Sequence, residues 1–441
     1  VSNRSTPVAA LDALLDQIDL PPQLYRRAWR NRLARGGGAK ELLQLAAQLP
    51  RPSGLASGGA SGGASRGASG GASGSVSRGV SGLSHWLSDR SSPAHARVLI
   101  GRDDGGHLLK LGQSLGPQAF SAACLKAAEV LRSPRFAHAP GRGRSLDAAA
   151  LELLAHLGAE AAPALMPALR LRHASQAAGC KFDAAYTEHR IPKKNGGERL
   201  IQAPHRALRQ VQSLLLRRLL APLGAHAAAC GFVPGRSVVH NAQAHVGQAV
   251  VANADIRNCF PSVRWPLVLG ALRRELGHKF SPAAISLLLD LCTAGGALPV
   301  GAPSSPALLN LVLRRSDEVL QQAAERVGAH YTRYADDLTF SGDDRAVGLL
   351  RLAERTLAQI GLALDPRKTN IFRRGRRQMV TGLVVNQQVS VPRAVRRRLR
   401  AAVHHVEVGQ PLHWKGQSDD LAALRGRLAF VHMVHGPQAL A

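Results

Sequence analysis

Aromatic side chains make up only 4% of this 441-residue chain, and its 29 acidic residues face 57 lysines and arginines. The shortage of acid leaves a formal charge of +28. Self-repulsion of that size works against a compact chain unless a polyanion neutralises it. Nucleic acid is the expected partner, because phosphate contacts release condensed counterions. An anionic membrane surface is the competitor. However, no stretch approaches the ~18–20 consecutive apolar residues of a membrane-spanning helix, and no membrane partner is expected. Residues 1–20 lack a basic segment followed by an apolar one, so no signal peptide is expected. Cysteine is sparse too. Cys124, Cys180, Cys230, Cys259 and Cys292 form no CxxC pair, which excludes a zinc module and a disulfide framework. A reducing cytoplasm is the expected setting. The 18 histidines are scattered, and His404 with His405, or His432 with His435, lack partner ligands at metal-binding spacing.

What is present begins with a 45% hydrophobic fraction, ample for a core, on a length that suggests about two to three domains. Residues 1–52 read as a helical segment, with Leu11, Leu14, Leu15 and Ile18 at helical spacing. Residues 53–84 collapse into Gly, Ser and Ala and read as a flexible linker, since such a tract buries too little apolar surface to order. Residues 85–176 read as a helical accessory region, with helices around 121–131 and 146–157. From Cys180 onward strand-like runs alternate with amphipathic helices, which predicts an α+β body. A helix is expected over 207–220, a strand over 250–256, a hairpin over 331–340, a helix over 346–360 and a strand over 379–385. Two basic helices close the chain, the last with Ser418 as N-cap and Asp419 and Asp420 in its first turn.

The chemistry centres on Tyr334-Ala335-Asp336-Asp337. Adjacent carboxylates at a hairpin tip repel one another, and a divalent cation offsets that repulsion. Asp255 ends an apolar strand upstream and supplies a third carboxylate. Two-metal phosphoryl transfer needs such a set, and magnesium suits hard oxygen ligands near phosphates. A lone Asp-Asp pair is more often a solvated turn, but here both flanks are apolar and strand-like.

Tyr-x-Asp-Asp between strands resembles the signature of reverse transcriptases. Asp255-Ile-Arg-Asn-Cys-Phe260 resembles their first metal motif. Leu298–Pro306 resembles the palm loop that follows it, Ile191–Ile201 the fingers hairpin, and Leu364–Thr369 the motif that brings a lysine near the nucleotide. The motifs keep family order over residues 177–437. Asn241-Ala-Gln-Ala-His245 and Val380-Thr381-Gly382 resemble two elements of the retron group.

The resemblance implies a right-hand polymerase, with fingers and palm over 177–390 and a thumb over 391–441. It implies RNA-directed DNA synthesis with two Mg2+ ions held by Asp255, Asp336 and Asp337. Lys368 would protonate or neutralise the departing pyrophosphate. Phe260 would sit under the sugar and exclude a ribose 2′-OH. Lys193 and Arg199 would meet the triphosphate, and Gly301 would let substrate approach the backbone. Val300 stands where the family commonly has Gln, which removes one side-chain amide from the nucleotide site. Asn241, His245, Val380, Thr381 and Gly382 would serve recognition of a cognate structured noncoding RNA. Retron membership further implies priming from an internal guanosine 2′-OH, branched RNA-linked DNA, and anti-phage defence with an effector protein. The 367–400 arginines are expected to track phosphates. Arg236, in Gly231-Phe232-Val-Pro-Gly235-Arg236-Ser237, would meet template or triphosphate. The rival readings are a group II intron-like or other cellular reverse transcriptase, and a non-catalytic RNA-binding scaffold on the same fold.

Overall fold

The structure is a computed structural model, and it describes residues 105–132, 147–177, 185–193, 196–414 and 417–436. The expected helical segment over 1–52 and the linker over 53–84 lie outside the described residues. The chain divides into two compact units. One comprises Val1–Leu223 with Val268–Ser305, the other Gly224–Leu267 with Pro306–Ala441.

Among the described residues the first unit is mainly helical. It contains α1 (Gly106–Leu115), α2 (Pro117–Arg132), α3 (Ala148–Leu157) and α4 (Ala162–Ala177). Helix α3 starts where the Asp147 carboxylate accepts from the Ala150 N–H at 2.8 Å. It is apolar almost all round and therefore buried. A hairpin follows, β1 (Tyr186–Pro192) with β2 (Glu198–Pro204), in a register that pairs Pro192 with Glu198. Gly196 and Gly197 hold φ of 82° and 76°, which lets the turn close. Helix α5 (Arg206–Leu215) buries Leu208, Val211 and Leu215 on one face and runs into a π-helical turn over Leu216–Leu220. Gln212 ties this unit together, donating to the Tyr186 hydroxyl and the Leu291 carbonyl, both at 2.8 Å.

The second unit is built on a four-stranded antiparallel sheet. After α6 (Val238–Gln243), its strands are β3 (Val250–Asp255), β4 (His330–Tyr334), β5 (Asp337–Gly342) and β6 (Asn370–Arg373). Their spatial order is β4-β5-β3-β6. Between β3 and β4 run the one-turn α7 (Cys259–Ser262), α8 (Trp265–Leu276), α9 (Pro282–Cys292) and α10 (Ser305–Arg326), of which α8 and α9 lie mainly in the first unit. Helix α11 (Arg345–Ala358) covers β3 and β5. The expected strand over 379–385 is instead a tight hairpin, β7 (Met379–Val380) and β8 (Leu383–Val384). Thr381 and Gly382 take φ of 45° and 84°, the left-handed pair that a two-residue hairpin turn requires. Helix α12 (Arg393–Glu407) comes next, then β9 (His413–Trp414), β10 (Gln417–Ser418) and α13 (Leu421–His435). Val251 of β3 shares one apolar core with Val380, Leu383, Leu399, Leu424 and Val431. The cap of α13 is Asp420, which accepts from Ala423 N–H at 2.6 Å, and not Ser418, which belongs to β10. Asp419 pairs with Arg427.

Cys124, Cys230, Cys259 and Cys292 are buried free thiols. Among the described residues no helix is long and apolar enough to cross a membrane.

Candidate active site

Strand register brings the three aspartates together. Asp255, the last residue of β3, pairs directly with Asp337, the first residue of β5. Directly opposed side chains sit about 5 Å apart at Cβ, and like charges so placed repel. Asp336 lies in the two-residue turn between Tyr334 and Asp337, and its carbonyl accepts from the Ile256 N–H at 3.0 Å. Ala335 opens that turn at φ 58°, the left-handed conformation that matches the twist of a tight hairpin. For a residue with a Cβ this costs roughly 1–2 kcal/mol, so the surroundings must hold it.

They do so with a buried ion pair. Arg333 and Asp317 are each 1% exposed. The Arg333 guanidinium donates to both Asp317 carboxylate oxygens, at 2.8 and 2.6 Å. Its remaining donors reach the Asn310 side-chain oxygen at 3.0 Å and the Ala335 carbonyl at 2.9 Å. Tyr331 donates its hydroxyl to Asp317 at 2.8 Å. Paired and fully hydrogen-bonded charges are the only kind a core tolerates. This network escaped sequence reading. Its trace in the sequence is an arginine inside an apolar strand and two polar residues, Asn310 and Asp317, two turns apart on one helix.

Lys368 joins the aspartates. Its Nζ stands 2.6 Å from Asp255 Oδ1. Partial burial works to lower its pKa, but the Asp255 hydrogen bond and the charges of Asp255, Asp336 and Asp337 outweigh that and raise it. Lys368 is thus a firm cation facing three carboxylates. Asp337 is pushed up to about 7, by desolvation in its crowded setting and then by the charges of Asp336 and Asp255. Its position is exposed on the strand, so the crowding of like charge is the physically decisive part. Burial, followed by the Asp336 charge, pushes the Cys259 thiol up, which keeps it from acting as a thiolate. Among the described residues no group of three or more His, Cys, Asp or Glu side chains is arranged to hold a metal ion. Asp255 is instead engaged by the Lys368 ammonium.

Phe260 lies on α7, half-buried, with its ring 6.3 Å from that of Phe232. Asn241, His245 and Val380 are fully buried. His245 sits between the Ser341 hydroxyl at 2.6 Å and the Thr332 hydroxyl at 2.7 Å, bridging β5 and β4. Burial, with a smaller contribution from His330, pushes its pKa down to about 3. Asn241 donates to Thr381 Oγ1 at 3.5 Å, and Asn253 of β3 donates to the Met379 carbonyl at 2.7 Å. The two short retron-like elements therefore touch each other and lock the β7–β8 turn to α6.

Lys193, Arg199 and Gly301 belong to the first unit. Lys193 and Arg199 are exposed at the β1–β2 turn. Gly301 has φ 113°, and a Cβ there would stand 3.0 Å from the Ile201 side chain and 3.3 Å from the Gln202 carbonyl. Val300 accepts from the Gln202 N–H at 2.7 Å through its carbonyl, so this loop is laid against β2. Arg236 turns inward, bonding the carbonyls of Ala227 and Ala229.

Residues 191–394 match the family "Reverse transcriptase (RNA-dependent DNA polymerase)". The retron Mx162 reverse transcriptase of Myxococcus xanthus is 38% identical over 282 residues, covering 56% of this chain and 57% of that protein. The retron Mx65 reverse transcriptase of the same organism is 40% identical over 278 residues, covering 58% and 62%. The retron Ec86 reverse transcriptase of Escherichia coli is 32% identical over 254 residues, covering 56% and 76%. The chain thus spans less than two thirds of the two Myxococcus proteins and three quarters of the E. coli one. The palm sheet, the order of its motifs and these relatives agree with the expected α+β, right-hand polymerase class, and the chain belongs to the retron reverse transcriptases.

Proposed function

We propose that this chain is an RNA-directed DNA polymerase of the retron kind. It joins a primer hydroxyl to a dNTP and copies a cognate structured noncoding RNA into branched, RNA-linked single-stranded DNA. The observation that carries the reading is the direct pairing of Asp255 with Asp337 beside the turn residue Asp336.

The chemistry of the donors, three carboxylates, suits hard divalent cations such as Mg2+. Asp255 and Asp337 pair across the strands beside Asp336, and Lys368 stands against Asp255. Asp255, Asp336 and Asp337 would hold two Mg2+ ions, which when bound supply Lewis-acid stabilisation to the attacking and leaving oxygens. The primer oxygen forms a new bond to the α-phosphorus as the bond to the bridging oxygen breaks and pyrophosphate leaves. Lys368, a cation on the 364–369 loop, neutralises charge on that leaving group once it releases Asp255. Lys193 and Arg199 receive the triphosphate, where the Arg fork suits phosphate oxygens. Phe260 excludes a 2′-OH. Asn241, His245, Val380, Thr381 and Gly382 act in RNA recognition by fixing the surface around the β7–β8 turn. The RNA, the dNTPs, the DNA product and a defence effector are the expected partners, in the cytoplasm.

The test is dNTP incorporation on the RNA that co-purifies with the chain. Asp336→Asn is expected to lower it by about a thousandfold or more, the scale of losing a metal ligand in phosphoryl transfer. The labelled DNA is expected to remain joined to RNA through a 2′,5′ linkage. Linear cDNA made only from an added primer would favour the group II intron-like reading, and incorporation that survives Asp336→Asn would remove the metal assignment.

A further inference from the structure

Phe232 has the marks of a residue held in place for a purpose. It is a large aromatic, 52% exposed, and it takes φ 61° in the left-handed region that bulky residues avoid. Strained backbone persists only where the surroundings over-determine it, and here they do. Gly231, next to it, packs so closely on the metal turn that a Cβ would stand 2.3 Å from the Ala335 nitrogen. The Gly231 carbonyl accepts from Asn310 at 3.1 Å, the same Asn310 that receives Arg333. On the strand side the Cys230 N–H donates to the Arg333 carbonyl at 2.7 Å. The loop that presents Phe232 is thus fastened to the hairpin that presents Asp336 and Asp337.

The Phe232 ring meets Phe260 edge to face, at 6.3 Å and 70°. Such a contact is directional, because a ring edge is electropositive and a ring face electronegative. It restricts how the Phe260 ring can tilt. Phe260 itself is half-buried on a four-residue helix, after Asn258 at φ 44°.

We infer that Phe232 is a second determinant of sugar selectivity, a positioning residue that keeps the Phe260 ring upright against a ribose 2′-OH. This rests on the reading of Phe260 as the gate. A gate that can lean away admits the extra hydroxyl, whereas a braced one does not. Hydroxyl exclusion by a packed wall discriminates only as well as the wall is rigid.

The experiment compares kcat/KM for a dNTP and its matching rNTP in the full chain with its bound RNA. The variants are Phe260→Ala, Phe232→Ala, Phe232→Tyr and the double alanine variant. Phe260→Ala is expected to lower the dNTP preference by about a hundredfold, and Phe232→Ala by about tenfold, mostly by improving rNTP use, with kcat for dNTP within about threefold of the parent. Phe232→Tyr keeps the edge contact and restores the preference. The double variant is expected to match Phe260→Ala alone, since the two side chains act as one unit. A preference unchanged in Phe232→Ala while Phe260→Ala loses it would overturn the bracing role and leave the gate standing. A preference unchanged in Phe260→Ala would overturn the gate, and the bracing role with it. Phe232 is exposed, so its removal leaves the fold intact, and equal melting temperatures would confirm that.

Discussion

The hairpins β1–β2 and β4–β5 are both two-stranded antiparallel ribbons closed by a short turn, yet they are built in opposite ways. The first is exposed over the half nearest its turn, and that turn carries Gly196 and Gly197 at positive φ. The second is buried along nearly its whole length, and its turn forces an alanine into left-handed backbone. An unsupported hairpin is marginal in water, so the far end of β1–β2 has little of its own to hold it in one place. The β4–β5 hairpin is instead held by a buried Arg–Asp pair, a buried histidine and a sheet partner on β3. The difference suits the proposed roles. Metal ligands must be placed within a fraction of an ångström, while cations that meet a triphosphate can move with it. The carboxylate that β5 sets against Asp255 of β3 is the crowded end of this hairpin, with Lys368 beside it.

That contrast can be broken at its strong end first. Arg333→Met leaves Asp317 as a buried charge with Tyr331 as its remaining neutral donor. Breaking such a pair typically costs about 3–5 kcal/mol, so denaturant unfolding should show a loss of that order. Replacing both partners, Arg333→Met with Asp317→Leu, should recover much of it. If the single variant unfolds like the parent, the pair does not hold the hairpin.

His245 gives a pH signature of the same region. Its folded pKa is about 3, well below the ordinary value of 6.5. A depressed histidine favours the fold where both states are neutral, above pH 6.5, and that advantage is lost as pH falls toward 3. Stability should therefore drop by about 1–2 kcal/mol between pH 6.5 and 5. Measured by denaturant midpoint, the slope should flatten in His245→Phe. An equal slope in the variant would show that His245 is not the group responsible.

The exposed hairpin should answer differently. Arg199→Ala is expected to raise KM for dNTP by about five- to tenfold, the scale of one charge-assisted phosphate contact, without moving the melting temperature. A fall in stability would mean that β1–β2 is more than a carrier of cations.

Much of this design was legible in the residues. Alternating apolar runs around Asp255 and Asp336 read correctly as strands, and the amphipathic stretches after residues 206 and 345 read correctly as helices. What escaped was of two kinds. Local geometry can defy residue preference: Thr381 is β-branched and is no turn signal, yet it adopts φ 45°, so the β7–β8 hairpin read as a single strand. Ser418 and Asp420 are both capping residues, and only the β9–β10 pairing decides between them. The second kind is long-range. Arg333 lies on β4 while Asn310 and Asp317 lie on α10, and no spacing rule joins the strand residue to the helix pair. The retron-like residues show the same limit. Asn241 and His245 stand out as polar residues, but their burial against Thr381, Ser341 and Thr332 follows only from the packed sheet.

Metal binding by the carboxylates is the most direct point of test. Mn2+ can replace Mg2+ and be counted by electron paramagnetic resonance, on the full chain with primer–template and an incoming nucleotide. About two ions per chain are expected for the parent. Asp336→Asn should hold at most about one, or bind them at least tenfold more weakly. Equal number and affinity in the two proteins would contradict the metal centre proposed for Asp255, Asp336 and Asp337.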